Sequence, residues 1–183
     1  MSKVITSMVL LAVIFMACKN NPQKEFRTKT GKTILLNETH PMGVSLSQVE
    51  IVPSGLKDKK PIEVGETDPI QKAELADLDQ DGFDELYLFT LSPGSGSYGK
   101  ILAYSSDKDE KLVKITIHEI GEKDLARGGI FEGYRGHDKF QINKNRISRS
   151  FPVYLKNDPN SNPSGGEKTV YYSLKDNVLK IEK

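Results

Sequence analysis

Leu86-Tyr87-Leu88-Phe89-Thr90-Leu91 is apolar on both faces of an extended chain. It predicts a central strand covered from two sides by the rest of the domain. From Thr33 onward, short β-branched and aromatic runs alternate with clusters of Gly, Pro, Asn and Asp, and no helical period persists for three turns. The fold expected is therefore all-β, an antiparallel sandwich or flattened barrel with at most one or two short helices. Val113, Ile115 and Ile117 alternate with Lys114, Thr116 and His118, which predicts a half-buried strand. Residues 100–105 are its expected antiparallel partner, across the polar turn 106–110. Further strands are expected at 33–36, 44–52, 73–78, 138–142, 146–151, 168–174 and 178–182. In 44–52 the apolar phase switches from Val44 and Leu46 to Val49 and Ile51, predicting a bulge near Gln48. Glu122 to Arg127 is the one candidate helix, stopped by Gly128-Gly129. Residues 157–166 read as a turn-rich loop.

The N-terminus constrains location. Lys3 is followed by the apolar run Met8–Met16, too short to span a bilayer, and then by Ala17 and the only Cys of the chain, Cys18. Residues 1–17 are thus expected to be a signal peptide. The small residue before Cys18 looks like the lipobox of bacterial lipoproteins, although Phe15 stands where Leu is usual. The segment 18–32 is expected to be a lipidated Cys18 with a polar tether, and 33–183 one β-rich domain. Lipid on Cys18 would hold the protein to a membrane without a transmembrane helix. Lys19 replaces the Asp that retains lipoproteins in the inner membrane of enteric bacteria, so an outer-membrane anchor facing the periplasm is expected. The chain has 26 basic and 25 acidic residues, and losing Lys3 with the signal balances them. A nucleic-acid partner is excluded on that charge, and one thiol allows no internal disulfide.

Two loops carry chemistry. Asp77-Leu78-Asp79-Gln80-Asp81-Gly82-Phe83-Asp84-Glu85 sets carboxylates at alternate positions around a Gly-permitted turn, the oxygen cage that Ca²⁺ prefers. An EF-hand is excluded, because Leu88 stands at its twelfth position. The pattern resembles the calcium loops between strands of FG-GAP-like repeats, with Asp77, Asp79, Asp81 and Glu85 as side-chain ligands and the Phe83 carbonyl as a fifth. The alternative is an acidic turn closed by Asx hydrogen bonds with no metal. No cofactor is required; a structural calcium is the one candidate.

The second loop, Gly94-Ser95-Gly96-Ser97-Tyr98-Gly99-Lys100, matches G-x-G-x-x-G and most of a P-loop. Both nucleotide readings fail, since Ile101 replaces the Mg²⁺-binding hydroxyl and a strand, not a helix, follows. Ser95, Gly96, Ser97 and Tyr98 instead make a thin tip with two hydroxyls and one rigid aromatic, suited to entering a narrow cleft. A plain exposed hairpin loop is the alternative. His40, His118 and His137 have no metal spacing and read as surface histidines, G-x-S-x-G is absent, and no nucleophile and base pair can be named, so an enzyme is not expected.

The order of these features, a lipoprotein signal, then D-x-D-x-D-G-x-x-E, an apolar strand and S-G-S-Y-G leading into a strand, resembles the bacterial periplasmic inhibitors of invertebrate-type (I-type) lysozyme. Gly133-Tyr134-Arg135-Gly136-His137-Asp138-Lys139-Phe140, Arg149 to Tyr154 and Pro163 to Leu174 are similar to the C-terminal half of that family, so the resemblance spans roughly 65 to 181. It implies a β-sandwich-like inhibitor whose S-G-x-Y loop plugs the lysozyme cleft and so protects peptidoglycan. Ser95 and Tyr98 would hydrogen-bond the catalytic carboxylates and their neighbours, and Gly96 would let the backbone approach closely. The alternative function is a calcium-stabilised envelope module that binds glycan or protein without inhibiting lysozyme. Whether the domain forms a homodimer stays open on the sequence.

Overall fold

The computed structural model describes residues 23–182. The expected signal peptide and Cys18 lie outside them. Among the described residues, thirteen strands form three sheets. The N-terminal sheet runs β1 (Lys24–Arg27), β2 (Thr33–Thr39), β3 (Ser47–Val52) and β4 (Ile62–Thr67) in that order. The central sheet is β5 (Ile70–Ala76), β6 (Glu85–Leu91), β7 (Gly99–Asp107) and β8 (Lys111–Lys114). The C-terminal sheet has the order β10-β11-β12-β13-β9, from β9 (Thr116–Ile117), β10 (Lys139–Asn143), β11 (Arg146–Pro152), β12 (Glu167–Lys175) and β13 (Val178–Ile181). A single turn of helix, α1 (Glu122–Leu125), links β9 to β10.

The architecture follows from β6. Alternate side chains of a strand point to opposite faces, and here both sets are apolar. Leu86 and Leu88 pack with Ile34, Leu36, Val49 and Ile51 of the N-terminal sheet. Tyr87 and Phe89 pack with Ile147, Phe151, Val170 and Tyr172 of the C-terminal sheet. Its neighbour β7 divides likewise, Ile101 and Ala103 to one core and Tyr104 to the other. The central strand covered on both sides is thus present. The layers are three, and the sheets do not close into a barrel.

Other expectations need correction. The segment 18–32 contains β1, which pairs antiparallel with β2 from Lys24↔Leu36 to Arg27↔Thr33, so paired structure begins inside the expected tether. Strand β4 had no expected counterpart. Val44 and Leu46 are exposed in a turn before β3, which is why the apolar phase seems to switch there. The register does shift, but between Val49 and Glu50, whose partners are Gly65 and Glu63; the extra residue is Val64, on β4.

The strand expected from 113 to 118 divides between two sheets. Val113 and Lys114 pair with β7, and Ile115 N–H still donates to the Ala103 carbonyl at 2.9 Å. Thr116 and Ile117 then pair in parallel with Val178 and Leu179 of β13. Asn177 staples the crossing: its Nδ2 donates to the Lys114 carbonyl at 2.9 Å, and its Oδ1 accepts from Ser105 Oγ at 3.1 Å. The side-chain alternation survives the switch while the hydrogen-bonding neighbour changes.

Because β6 serves both cores, they should unfold together. Leu88→Ala, on the N-terminal face, and Phe89→Ala, on the C-terminal face, are each expected to lower stability by about 2–5 kcal/mol. Urea denaturation followed by far-ultraviolet circular dichroism and by tyrosine fluorescence should show one coincident transition for both variants. Two separated transitions would mean that the cores are independent.

Candidate functional site

The Ser95–Tyr98 loop joins β6 to β7, at the end of the central sheet. Its base is closed by Ser92 N–H to the Tyr98 carbonyl and by Tyr98 N–H to Ser92 Oγ, both at 2.9 Å. Ser97 N–H donates to the Gly94 carbonyl, with Ser97 at φ 43°. Ser95 is exposed, and Tyr98 keeps 47% of its surface in solvent. The tip therefore presents the Ser95 hydroxyl and a half-free Tyr98 ring from a closed turn, while the Ser97 hydroxyl turns back toward the Gly94 carbonyl at 3.5 Å.

Support comes from residues far along the chain. His137 N–H donates to the Gly96 carbonyl at 2.7 Å and to the Ser97 carbonyl at 3.1 Å. This approach requires glycine at 136: it has φ 92°, and a Cβ there would lie 1.9 Å from the Gly96 oxygen. Tyr98 packs edge-on against Tyr134, with centroids 5.8 Å apart. At Gly96 a Cβ would meet the Tyr98 ring at 2.4 Å, so any larger residue there would displace that ring.

Beneath the loop lies a buried ion pair. Arg149 Nε donates to Asp138 Oδ1 at 2.6 Å and Nη2 to Asp138 Oδ2 at 3.0 Å. Asp138 Oδ2 also accepts from Gly99 N–H and from the Tyr134 hydroxyl, each at 2.6 Å, while Arg149 Nη2 reaches the Gly99 carbonyl at 3.1 Å. Both backbone groups of Gly99, where the loop ends and β7 begins, are thus held by one charge pair. Burial disfavours the Arg149 charge, but Asp138 outweighs it and keeps the guanidinium protonated beyond its ordinary range. Burial raises the Tyr134 hydroxyl above the usual tyrosine range.

Of the three histidines expected at the surface, His40 and His118 are exposed, and His118 Nε2 meets Asp124 Oδ2 at 3.1 Å. His137 instead lies half-buried behind the loop. Nothing in the local spacing of Tyr134 to Asp138 and Arg149 marks them as a brace for so distant a loop, 39 positions from Gly99 to Asp138 and 50 from Gly99 to Arg149.

A second loop flanks the first. Asp158 closes the turn 155–164 by accepting from Leu155 N–H, Ser164 N–H and Ser164 Oγ, all at 2.7 Å. The adjacent Asn160 places its Nδ2 3.5 Å from Ser95 Oγ, and Arg135 Nη1 donates to the Asp158 carbonyl at 3.0 Å.

The acidic turn lies at the other end of β6. One oxygen from each of Asp77, Asp79, Asp81 and Glu85 lies within 4.8 Å of the others. Ligands about 2.3–2.6 Å from a common Ca²⁺ can be no more than about 5 Å apart, so the spacing fits that ion. Gln80 at φ 63° and Gly82 at φ 99° turn the chain. Asx contacts are present as well: Asp81 N–H to Asp79 Oδ1 at 3.2 Å and Phe83 N–H to Asp81 Oδ1 at 2.8 Å. Phe83, whose carbonyl was the expected fifth ligand, is tied into the turn through that N–H.

Two features go beyond a solvated turn. Among the described residues, Asp77 Oδ1 is buried with no hydrogen-bond partner. Glu85 is 1% exposed, and burial pushes its carboxyl up to about 8, against the Leu78 N–H and Tyr87 hydroxyl that donate to Oε2. Burial raises Asp79 too, with Asp77 and Asp81 beside it. Burial would also raise Asp77, but the Lys29 ammonium and Gly82 N–H outweigh it and hold that carboxyl low. The Lys29 ammonium pairs with Asp77. These residues fit calcium, which would supply charge neutralisation and rigidity to the turn.

Two outcomes are expected. The Asp158 carboxyl is held below the usual carboxylate range, first by Leu155 N–H and then by Ser164. Its hold on the turn is complete above its unfolded value of about 3.8 and is lost as pH falls through the lower folded value. The Leu155 and Ser164 amide resonances should therefore shift together below about pH 4, and Asp158→Asn should abolish that transition. For the acidic turn, Ca²⁺ at about a hundredfold excess over Kd should add about 2.7 kcal/mol of stability. It should raise Tm by about 2–4 °C per kcal/mol, reversibly with chelator. Asp79→Asn/Asp81→Asn should remove the response. A wild-type Tm indifferent to both Ca²⁺ and chelator would leave the metal-free acidic turn as the correct reading.

No protein-family model matches the chain, and no curated protein matches it. Among solved structures, the chain is similar to PliI-Ah, the periplasmic lysozyme inhibitor of I-type lysozyme from Aeromonas hydrophyla. The two share 22% identity over 52% of this chain and 87% of that chain, with a TM-score of 0.43.

Proposed function

We propose that the chain is a proteinaceous lysozyme inhibitor that inserts the Ser95–Tyr98 loop into the active-site cleft of a lysozyme, of the invertebrate type, and so protects peptidoglycan. The observation that carries this reading is the braced loop. A thin, small-residue tip with an aromatic at 47% exposure is clamped at Gly96, Ser97 and Gly99 by His137, Asp138 and Arg149. A loop already fixed in shape loses little freedom on binding, which is what a plug needs. Hydroxyls at Ser95 and Tyr98 complement ionised carboxylates, and such charge-assisted bonds gain strength in a desolvated cleft. The order of motifs from the acidic turn to the loop supports the same reading. The target would be occluded without chemical change. In this proposal the protein is an envelope lipoprotein, anchored by lipid on Cys18 to the outer membrane and facing the periplasm.

Calcium at Asp77, Asp79, Asp81 and Glu85 supports a second reading, an envelope module stabilised by Ca²⁺ that binds glycan or protein. The buried, unpartnered Asp77 Oδ1 is the observation that favours it.

The test is inhibition of invertebrate-type, chicken-type and goose-type lysozymes by protein lacking residues 1–18, beside Ser95→Ala/Tyr98→Ala. Inhibition of one class is expected, with the double variant weaker by about a hundredfold, as for a hot spot of about 2–3 kcal/mol. Circular dichroism should show the variant folded, because both side chains lie at the tip. Absence of binding to all three classes at high micromolar concentration would overturn inhibition. Loss of function on chelation alone would favour the second reading.

A further inference from the structure

The N-terminal and central sheets end together. Ser47, which opens β3, pairs with Thr67 at the close of β4, and across Asp68 and Pro69 the chain enters β5, where Ile70 pairs with Thr90 of β6. Leu91 N–H then donates to the Pro69 carbonyl at 3.2 Å. One oxygen, Glu38 Oε1 of β2, joins the two sheets by accepting from Ser47 Oγ at 2.7 Å and from Ile70 N–H at 2.9 Å. The β2–β3 loop, residues 40–46, therefore leaves the N-terminal sheet at the end where the Ser95–Tyr98 loop leaves the central one. The turn 155–164 of the third layer reaches the same end, with Asn160 beside Ser95. The β3–β4 connection, with exposed Lys59, lies at the opposite end, where Lys57 N–H donates to the Asp109 carbonyl at 3.1 Å.

The 40–46 loop is a formed turn with an apolar surface. Gly43 N–H donates to the His40 carbonyl at 3.3 Å and Leu46 N–H to the Gly43 carbonyl at 3.4 Å, while His40 Nδ1 lies 3.3 Å from the Leu46 carbonyl. Its large side chains stand outside both cores: Met42 is 75% exposed, Val44 81% and Leu46 39%. No Lys, Arg, Asp or Glu occurs from 39 to 49. Single exposed hydrophobic residues are ordinary, but three within five positions on one tip mark a contact surface.

Area identifies what sits on it. A specific interface of standard size buries about 800 Å² on each partner, from about 20–30 residues, over a patch about 30 Å across. Four tip residues, 95–98, supply a small part of that. Packed sheets lie about 10 Å apart, so a rigid partner seated on Ser95 and Tyr98 extends over the loops of the neighbouring layers. We propose that Met42, Val44 and Leu46 form a second contact for the same lysozyme, packing against apolar surface that flanks its cleft. This rests on the inhibitory reading of the Ser95–Tyr98 loop and extends it to the N-terminal sheet. Leu155, also exposed, stands on the other flank.

The test uses protein lacking residues 1–18 and the lysozyme class that it inhibits. Met42→Ser/Val44→Ser should bind about tenfold or more weakly, through faster dissociation, with an unchanged Tm because both side chains are in solvent. Val44→Cys, the sole thiol of that protein, should show a blue shift of an attached polarity-sensitive dye when the lysozyme is added, and Lys59→Cys should show none. Undiminished binding by the double variant, no shift at position 44, or an equal shift at position 59 overturns the second contact, even where Ser95→Ala/Tyr98→Ala abolishes inhibition. A wild type that inhibits no lysozyme overturns the inhibitory reading and this contact together. Binding to phosphatidylglycerol vesicles, or self-association in sedimentation velocity, that Met42→Ser/Val44→Ser loses while keeping full lysozyme affinity would assign the tip to a bilayer or to a second copy, and overturns the proposal.

Discussion

Everything in the structure depends on a constraint set by six side chains. A strand with apolar residues on both faces cannot rest at a sheet surface, so β6 must lie in a sheet that is itself covered twice. Three layers and two cores follow, with Leu86 and Leu88 feeding one and Tyr87 and Phe89 the other. The same strand bears the candidate sites at its two ends, Glu85 of the acidic turn and Leu91 leading to the Ser95–Tyr98 loop. Rigidity of the most buried strand is thereby passed to both loops.

The Arg149–Asp138 pair is the second organising element. Burying two charges costs several kcal/mol of hydration, which such a pair recovers only with good geometry and further hydrogen bonds. Those bonds exist, to Gly99 and Tyr134, and the guanidinium also lies 5.0 Å from the Tyr134 ring centroid and 5.4 Å from that of Phe140. Its effect is to fix where β7 starts. A buried apolar pair could fill that volume but could not hold both backbone groups of Gly99.

Much of this was legible in the sequence, for local reasons. Alternation reveals which face a side chain takes, so β6 and most strands of the two inner faces could be read. The acidic turn could be read because its carboxylates are close in sequence. Edge strands resisted: β1 offers only Phe26 among charged neighbours, and β4 carries a bulge beside Gly65 with two glutamates, the charge that discourages edge pairing. The division at Ile115 resisted for a different reason. A period of two continues unbroken from Val113 to Ile117 whichever strand lies alongside, so pattern alone cannot show that the partner changes. The brace of the loop was hidden because Gly96 meets His137, and Gly99 meets Arg149, only in the folded chain.

The loop's contacts fall into two unequal sets. Backbone atoms of Gly96, Ser97 and Gly99 are gripped by the scaffold, whereas the Ser95 side chain is exposed and the Tyr98 ring is half so, edge-on to Tyr134. Shape is therefore encoded by one group of residues and surface chemistry by another. Substitutions at Ser95, and at Tyr98 apart from its contact with Tyr134, are free to alter the tip with little penalty to folding while the framework stays intact. Drift at Gly136, Asp138 or Arg149 has no such freedom, because it alters the frame on which every tip sequence is displayed.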